Sequence, residues 1–192
     1  VDQLTVDTND DGIMDAADGV ITLDDKVDIG NPLPDATMGL NISLDYKNFD
    51  FAAYAFASVG NDIVRNYENN NILTNSAIYR LNRWTGEGTS NTSPRVTGGA
   101  TPNLLFSDFY VEDGSFIRLQ NVQLGYTFSD SALEGSKISK LRLYVSASNL
   151  LTLTKYNGFD PTASSGAPLG GGIDQGFYPS AKTFLLGLNL KF

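Results

Sequence analysis

The residues whose spacing speaks most directly of chemistry lie near the start of the chain. Asp7, Asn9 and Asp11 alternate with other residues, Gly12 follows, Ile13 offers a backbone carbonyl, and Asp15 and Asp18 add two carboxylates. Oxygen donors at loop positions 1, 3 and 5, a glycine at 6, a carbonyl at 7 and a carboxylate at 12 suit a hard cation such as calcium, which gathers about six to eight oxygens around a sharp turn. Asp18 stands where glutamate is usual, and its shorter reach weakens bidentate binding. No amphipathic helical run precedes Asp7, so the expectation is a single calcium-stabilised loop rather than a paired helix-loop-helix site. The plainer alternative is an unliganded turn of Asp, Asn and Gly.

The other chemical candidates are weaker. Tyr79, Arg83 and Trp84 could stack on a sugar or hold a peptide carboxylate, although loop packing is the better explanation of them. A short helix is expected there, capped near Asn75 or Ser76, with Ile78, Leu81 and Trp84 on one face. Glu112 and Asp113 form a carboxylate pair, but adjacent acids before Gly114 read as a turn rather than as a hydrolase dyad. The glycines at 170–172 lack the Lys-Ser/Thr of a phosphate loop. The chain contains no His and no Cys, which removes the usual general base, thiol chemistry and most transition-metal sites. No catalytic residue is assigned, and the chain does not read as an enzyme.

Charge is distributed unevenly. Of the net −9, all resides in residues 1–36, which hold ten acids against Lys26 alone, while the remainder carries twelve acids and twelve bases. An acidic head on a neutral body suits local cation binding and argues against a nucleic-acid partner. Two regions follow: an acidic loop with the calcium-like motif at 1–36, expected on the extracellular side, and a strand-rich body at 37–192.

The elements of that body show period-two alternation. Across 37–46, Met38, Leu40, Ile42, Leu44 and Tyr46 fall on one side and Gly39, Asn41, Ser43 and Asp45 on the other. Across 141–150, Leu141, Leu143, Val145 and Ala147 oppose Arg142, Tyr144, Ser146 and Ser148. Across 183–192, Phe184, Leu186, Leu188, Leu190 and Phe192 share a side. Segments of about ten residues match a tilted strand crossing a bilayer and exceed the usual soluble strand. No run approaches the roughly 18 to 20 apolar residues of a membrane-spanning helix, and Val1 to Leu4 lack the basic and apolar regions of a signal peptide. Two further strands are less regular. The stretch 49–59 is apolar on both sides, and 116–128 changes phase, predicting a bulge near Asn121.

The connections alternate in length. The pair Lys47 and Asn48 and the stretch 129–140 are short, whereas 60–115 and 151–182 are long. Alternating strand direction puts both short links on one side and both long ones on the other, the asymmetry of outer-membrane barrels. Tyr46, Phe49, Phe51, Tyr126, Phe128 and Phe192 gather at strand ends, as an aromatic belt would require. The fold class is therefore all-β: about five antiparallel strands forming the C-terminal part of a large transmembrane β-barrel with long extracellular loops. Five strands cannot close in hydrocarbon, so the remaining wall must come from preceding residues or another polypeptide. The rival readings are a secreted calcium-binding β-sandwich and a non-transporting outer-membrane adhesin.

Several stretches together resemble a known family. They include Asp7-Thr-Asn-Asp-Asp-Gly12, Ile29-Gly-Asn-Pro-Leu-Pro34, Gly60-Asn-Asp62, Arg83-Trp84, the run from Phe109 through Gly114 to Leu119, Asn121-Val122, Leu124-Gly-Tyr126, Leu141-Arg-Leu-Tyr-Val145, Asn149-Leu150, Tyr156, Gly158-Phe-Asp-Pro161 and Tyr178-Pro179. In order and spacing these are similar to the C-terminal portion of SusC/RagA-type TonB-dependent outer-membrane transporters of the Bacteroidota. The resemblance implies a barrel of about 22 strands, a plug, a SusD-like surface lipoprotein, the TonB system, and import of oligosaccharides or peptides across the outer membrane of a Gram-negative bacterium. It does not fix the substrate. Under this reading Phe184, Leu186, Leu188, Leu190 and Phe192 form an assembly signal for barrel insertion, and the apolar rows contact outer-membrane lipid.

Overall fold

The computed structural model describes residues 4–6, 10, 12, 14, 16–17, 19, 26–67, 78–96, 106–162 and 171–192. The chain divides into two compact units, Val1–Gly30 and Asn31–Phe192. In the first, strands β1 (Leu4–Val6) and β2 (Ala16–Ala17) pair antiparallel. Between them Asp10 and Gly12 take left-handed backbone, with φ of +55° and +87°.

The second unit is built on one five-stranded antiparallel sheet. Its strands are β3 (Ala36–Tyr46), β4 (Phe49–Val59), β7 (Phe116–Thr127), β8 (Lys140–Thr154) and β10 (Thr183–Lys191), in the spatial order β10-β8-β7-β4-β3. A three-stranded satellite of β6 (Val111–Asp113), β5 (Asp62–Arg65) and β9 (Ile173–Asp174) continues from the end where β4 finishes and β7 begins. There β5 runs antiparallel to β6 and parallel to β9. The described residues contain no α-helix, only short 3-10 turns.

Register resolves the facing of β4. Ile42 pairs with Ala53, Ala53 with Val122, Val122 with Ala147, and Leu124 with Val145, which in turn pairs with Leu186. Partners opposite one another in a ladder share a face, so Phe49, Phe51, Ala53, Ala55 and Ala57 join the apolar rows of the other strands. The alternate residues, Asp50, Ala52, Tyr54, Phe56 and Ser58, join Ser43, Gln123 and Ser146 on the opposite face. The first face is apolar on every strand and lies open: Leu40, Leu44, Leu143, Val145, Leu151 and Leu186 are all exposed. A β-sandwich would cover this face with a second sheet, and the described residues provide none.

The phase change in β7 is present, one residue from its expected place. Leu119 pairs with Ala55 and Asn121 with Tyr54, leaving Gln120 as the extra residue. A matching irregularity occurs in β8, where Asn149 and Leu150 stand opposite Gln120, and Asn149 has φ +52°. This second bulge corrects one expectation. The strand expected to stop at Leu150 continues to Thr154, because after the left-handed turn at Asn149 Leu151 and Leu153 resume the apolar row and pair with Leu119 and Ile117. The long connection therefore starts at Lys155.

The connections fall as alternation requires. Lys47 and Asn48 close β3 to β4, with Lys47 at φ +53°, and residues 128–139 join β7 to β8 at the same end. Residues 60–115 and 155–182 leave the opposite end.

Candidate functional site

At the long-loop end, β7 places Arg118 on the polar face, where it is 5% exposed. Its Nη2 donates to Asp160 Oδ1 at 2.5 Å, its Nε to Thr152 Oγ1 at 2.9 Å and its Nη1 to Thr162 Oγ1 at 3.1 Å. Asp160 accepts further bonds from the Thr162 N–H (2.9 Å) and hydroxyl (2.7 Å) and, on Oδ2, from the Ser180 N–H (2.9 Å). Burial by itself would raise the Asp160 pKa, but Arg118 and these donors outweigh it and hold the carboxyl well below its ordinary range. The residues following β8 are thereby locked to β7 by a fully partnered ion pair.

Two further buried contacts extend the lock. Tyr156 donates its hydroxyl to Asp174 Oδ2 at 2.6 Å, and Asp174 Oδ1 accepts the Gly176 N–H at 2.8 Å. Burial first, and then the bond to Asp174, push the Tyr156 phenol far above its usual pKa, so it stays a neutral donor. Arg65 on β5 pairs through Nε with Glu112 Oε1 at 2.8 Å and donates Nη2 to the Phe109 carbonyl at 2.8 Å. Glu112 Oε2 accepts both the backbone and side-chain N–H of Asn157, at 2.8 and 3.1 Å. Asp113 accepts the Ser115 N–H at 2.9 Å, and bonding from Ser115 lowers its pKa. Both carboxylates of the sequence pair are thus committed to structure. A side chain at Gly114 would collide with Asn61 and Ile63, which explains the glycine of that turn.

Beside this network lies a cleft of about 570 Å³, lined by Trp84, residues 90–95, Ser107 and Phe109. The Trp84 N–H donates to the Ser93 carbonyl at 2.9 Å, tying the two ends of the intervening loop together. Phe109 is steadied from behind, its ring 5.4 Å from the Arg65 guanidinium carbon and 5.1 Å from the Tyr110 ring, edge-on.

Of the sequence candidates, Trp84 lines the cleft. Arg83 instead donates Nη1 to the Arg80 carbonyl at 3.3 Å and is not among the lining residues. Tyr79 belongs to a 3-10 turn, Ile78–Asn82, and its side chain is outside the described residues. The expected helix is thus a 3-10 turn that ends before Trp84, so Ile78, Leu81 and Trp84 do not share a helical face. Asp7, Asn9, Asp11, Ile13, Asp15 and Asp18 all lie outside the described residues. Phe184, Leu186, Leu188 and Leu190 form the exposed apolar row of β10, and Phe192 follows it, also exposed.

No family model matches the chain. Curated relatives do. It is 40% identical over 183 residues to TonB-dependent receptor P3 of Formosa agariphila, covering 91% of this chain and 18% of that protein. It is 32% identical over 196 residues to the TonB-dependent receptor SusC of Bacteroides thetaiotaomicron, covering 100% of this chain and 18% of the relative. Among solved structures, the RagAB peptide importer in its closed-closed state matches with a TM-score of 0.66 at 32% identity, over 84% of this chain and 18% of that one. Over most of its length the chain is homologous to a part of SusC/RagA-type TonB-dependent receptors. It spans less than a fifth of the length of the curated relatives it matches.

Part of the buried lock comes from stretches that carry the SusC/RagA resemblance, namely Glu112, Arg118, Tyr156 and Asp160, whereas Arg65, Thr162, Asp174 and Ser180 lie outside them. The polar face of the five-stranded sheet carries a second motif, in which a tyrosine overlies a glycine on the adjoining strand. Tyr144 covers Gly187, and Tyr54 covers Gly39 at 3.5 Å from an added Cβ. Nearer the short-turn end, Arg142 of β8 reaches over Gly125 of β7 to pair with both oxygens of Asp50 on β4, the Nε bond measuring 2.9 Å. A side chain at Gly125 would strike both partners.

Proposed function

We propose that the chain forms part of the wall and outer loops of a TonB-dependent transporter of the bacterial outer membrane. The observation that carries this reading is the apolar face running across five strands with none of the described residues packed over it, opposite a face of Ser, Asn, Gln, Tyr and paired charges. Lipid outside and a watered lumen inside account for both faces. The family relationship adds the finer content: a barrel of about 22 strands surrounding a plug, C-terminal placement of this segment, TonB-driven import of oligosaccharides or peptides, and a SusD-like lipoprotein over the long loops. In this reading Phe184 to Phe192 present the insertion signal, and the chain's role is conduction and gating of cargo rather than catalysis.

Calcium belongs to the same proposal. The oxygen spacing from Asp7 to Asp18 and the left-handed backbone of Gly12, at loop position 6, support a cation that stiffens an extracellular loop.

Fractionation of cells expressing the full-length receptor tests the main reading. It should remain in the outer-membrane fraction, need detergent for extraction, and carry a lipoprotein through purification. Recovery as a water-soluble monomer without detergent would sink it.

A further inference from the structure

We propose that the cleft is a subsite for an acidic sugar residue, its ring against Trp84 and its carboxylate or sulfate on Arg95. The proposal rests on the transporter reading and names a cargo class for it.

The cleft has the size of a small-molecule site, within the roughly 300–1,000 Å³ typical of such pockets. Its walls combine two aromatic rings with a rim of hydroxyl and amide groups from Asn91, Thr92, Ser93 and Ser107. Flat apolar faces beside dense hydrogen-bonding groups match a pyranose, which has apolar C–H faces and hydroxyls around its edge. Trp84 is 39% exposed, so part of it remains accessible to a ligand while its backbone is pinned to Ser93. Phe109, braced by Arg65 and Tyr110, does not have to be ordered on binding, which lowers the entropic cost of association.

Charge sets the sign of the ligand. Arg95 is the only ionisable residue among the described residues that line the cleft; Asp108, between Ser107 and Phe109, is not one of them, and Glu112 of the neighbouring network is already held by Arg65 and Asn157. A carboxylate or sulfate would gain a charge-assisted, bidentate partner at Arg95, with no acid among the described lining residues to oppose it. An extended peptide is the poorer fit. Peptide recognition by strand addition needs an open strand edge, and the described cleft wall at 90–95 contains no strand.

Titration calorimetry on the purified full-length receptor, retained with its partner lipoprotein, decides the matter. The probes are an oligogalacturonate, its methyl ester, a sulfated galactan oligosaccharide and an acidic peptide of similar length. At least one acidic saccharide should bind, and affinity should fall about tenfold or more with Arg95→Gln and with Trp84→Ala, while Trp84→Phe retains most of it. The methyl ester should bind as weakly to the unaltered receptor as oligogalacturonate binds to Arg95→Gln. No heat with either acidic saccharide, equal affinity for acid and ester, or preference for the peptide would overturn the inference. So would unchanged affinity in both substituted proteins. Barrel integrity, read from electrophoretic heat-modifiability of the same samples, separates these results from a failure of the transporter reading.

Discussion

The ring of Tyr144 lies across the backbone of Gly187 on the neighbouring strand, so closely that a Cβ on the glycine would stand 2.1 Å from the ring's Cζ. The glycine supplies space and the tyrosine fills it, compensating for the missing side chain on the polar face. Gly187→Val should displace the ring and lower stability by about 1–3 kcal/mol. Gly39→Ala, whose new methyl would meet Tyr54 at an ordinary 3.5 Å, should cost nothing measurable. The temperature at which the full-length receptor loses its folded electrophoretic band distinguishes the two, and equal effects would contradict the close-packing account.

The two faces of β3 make opposite demands on a charge. Ile42→Arg puts a guanidinium on the apolar face and should cost roughly 2–4 kcal/mol near the bilayer midplane. Ser43→Arg, one residue later and on the polar face, should be tolerated far better. Proteolysis of the two variants in isolated outer membranes measures this, and indistinguishable resistance would reverse the assignment of lipid and lumen sides.

Removing Arg118 would leave Asp160 charged and buried, a loss of about 3–5 kcal/mol for a broken buried pair. Arg118→Ala should therefore expose the connection between β8 and β10 to protease while the five-stranded sheet stays intact. Cleavage sites mapped by mass spectrometry report whether damage is confined to that connection. Cleavage no faster than in the unaltered receptor would mean that the ion pair contributes little.

Acid should act on this lock late. Asp160 has a folded pKa depressed below the unfolded value of about 3.9, so its contribution is fully present above that value and is lost as pH falls through the lower, folded pKa. Protease protection of the connection should thus persist through ordinary acidic conditions down to about pH 4 and fade only below it. Loss of protection near pH 6 would contradict this assignment.

Calcium should stabilise the acidic head through its oxygen donors. Titration of the full-length receptor should show calcium uptake that Asp11→Ala weakens severely, because position 5 of the loop loses a carboxylate. An unchanged isotherm in Asp11→Ala would remove the cation from this loop.

The sheet was legible in the sequence wherever one face alternated cleanly. Leu40, Ile42 and Leu44 declare their side by period alone, as do Leu186, Leu188 and Leu190. The facing of β4 was not legible, because Ala52 and Ala53 differ in no property that periodicity can detect, and only pairing with Ser43 and Val122 separates them. The extension of β8 was hidden by Asn149, a polar residue in the apolar phase whose left-handed backbone lets the strand continue. Arg118, Asp160 and Asp174 were missed as a group. Charged residues scattered over strands and connections carry no local pattern, and what unites these three is burial at a shared end of the fold. The signal available was indirect: each of Arg118, Tyr156 and Asp160 sits within a stretch that resembles the family. The cleft was half legible, since an aromatic beside arginines drew attention to Trp84 but could not reveal Arg95 or Phe109 as its companions.

Strands β3 and β10 form the two borders of the five-stranded sheet, each bonded among the described residues to a neighbour on one side only. In oil, the idle amides and carbonyls along those borders would be intolerably costly. Such a panel cannot settle into the bilayer first and look for its seam mates later. On the proposed transporter reading, entry into lipid and pairing with flanking strands are therefore expected to proceed as one concerted event, with a fault along either border keeping the whole panel out of the membrane.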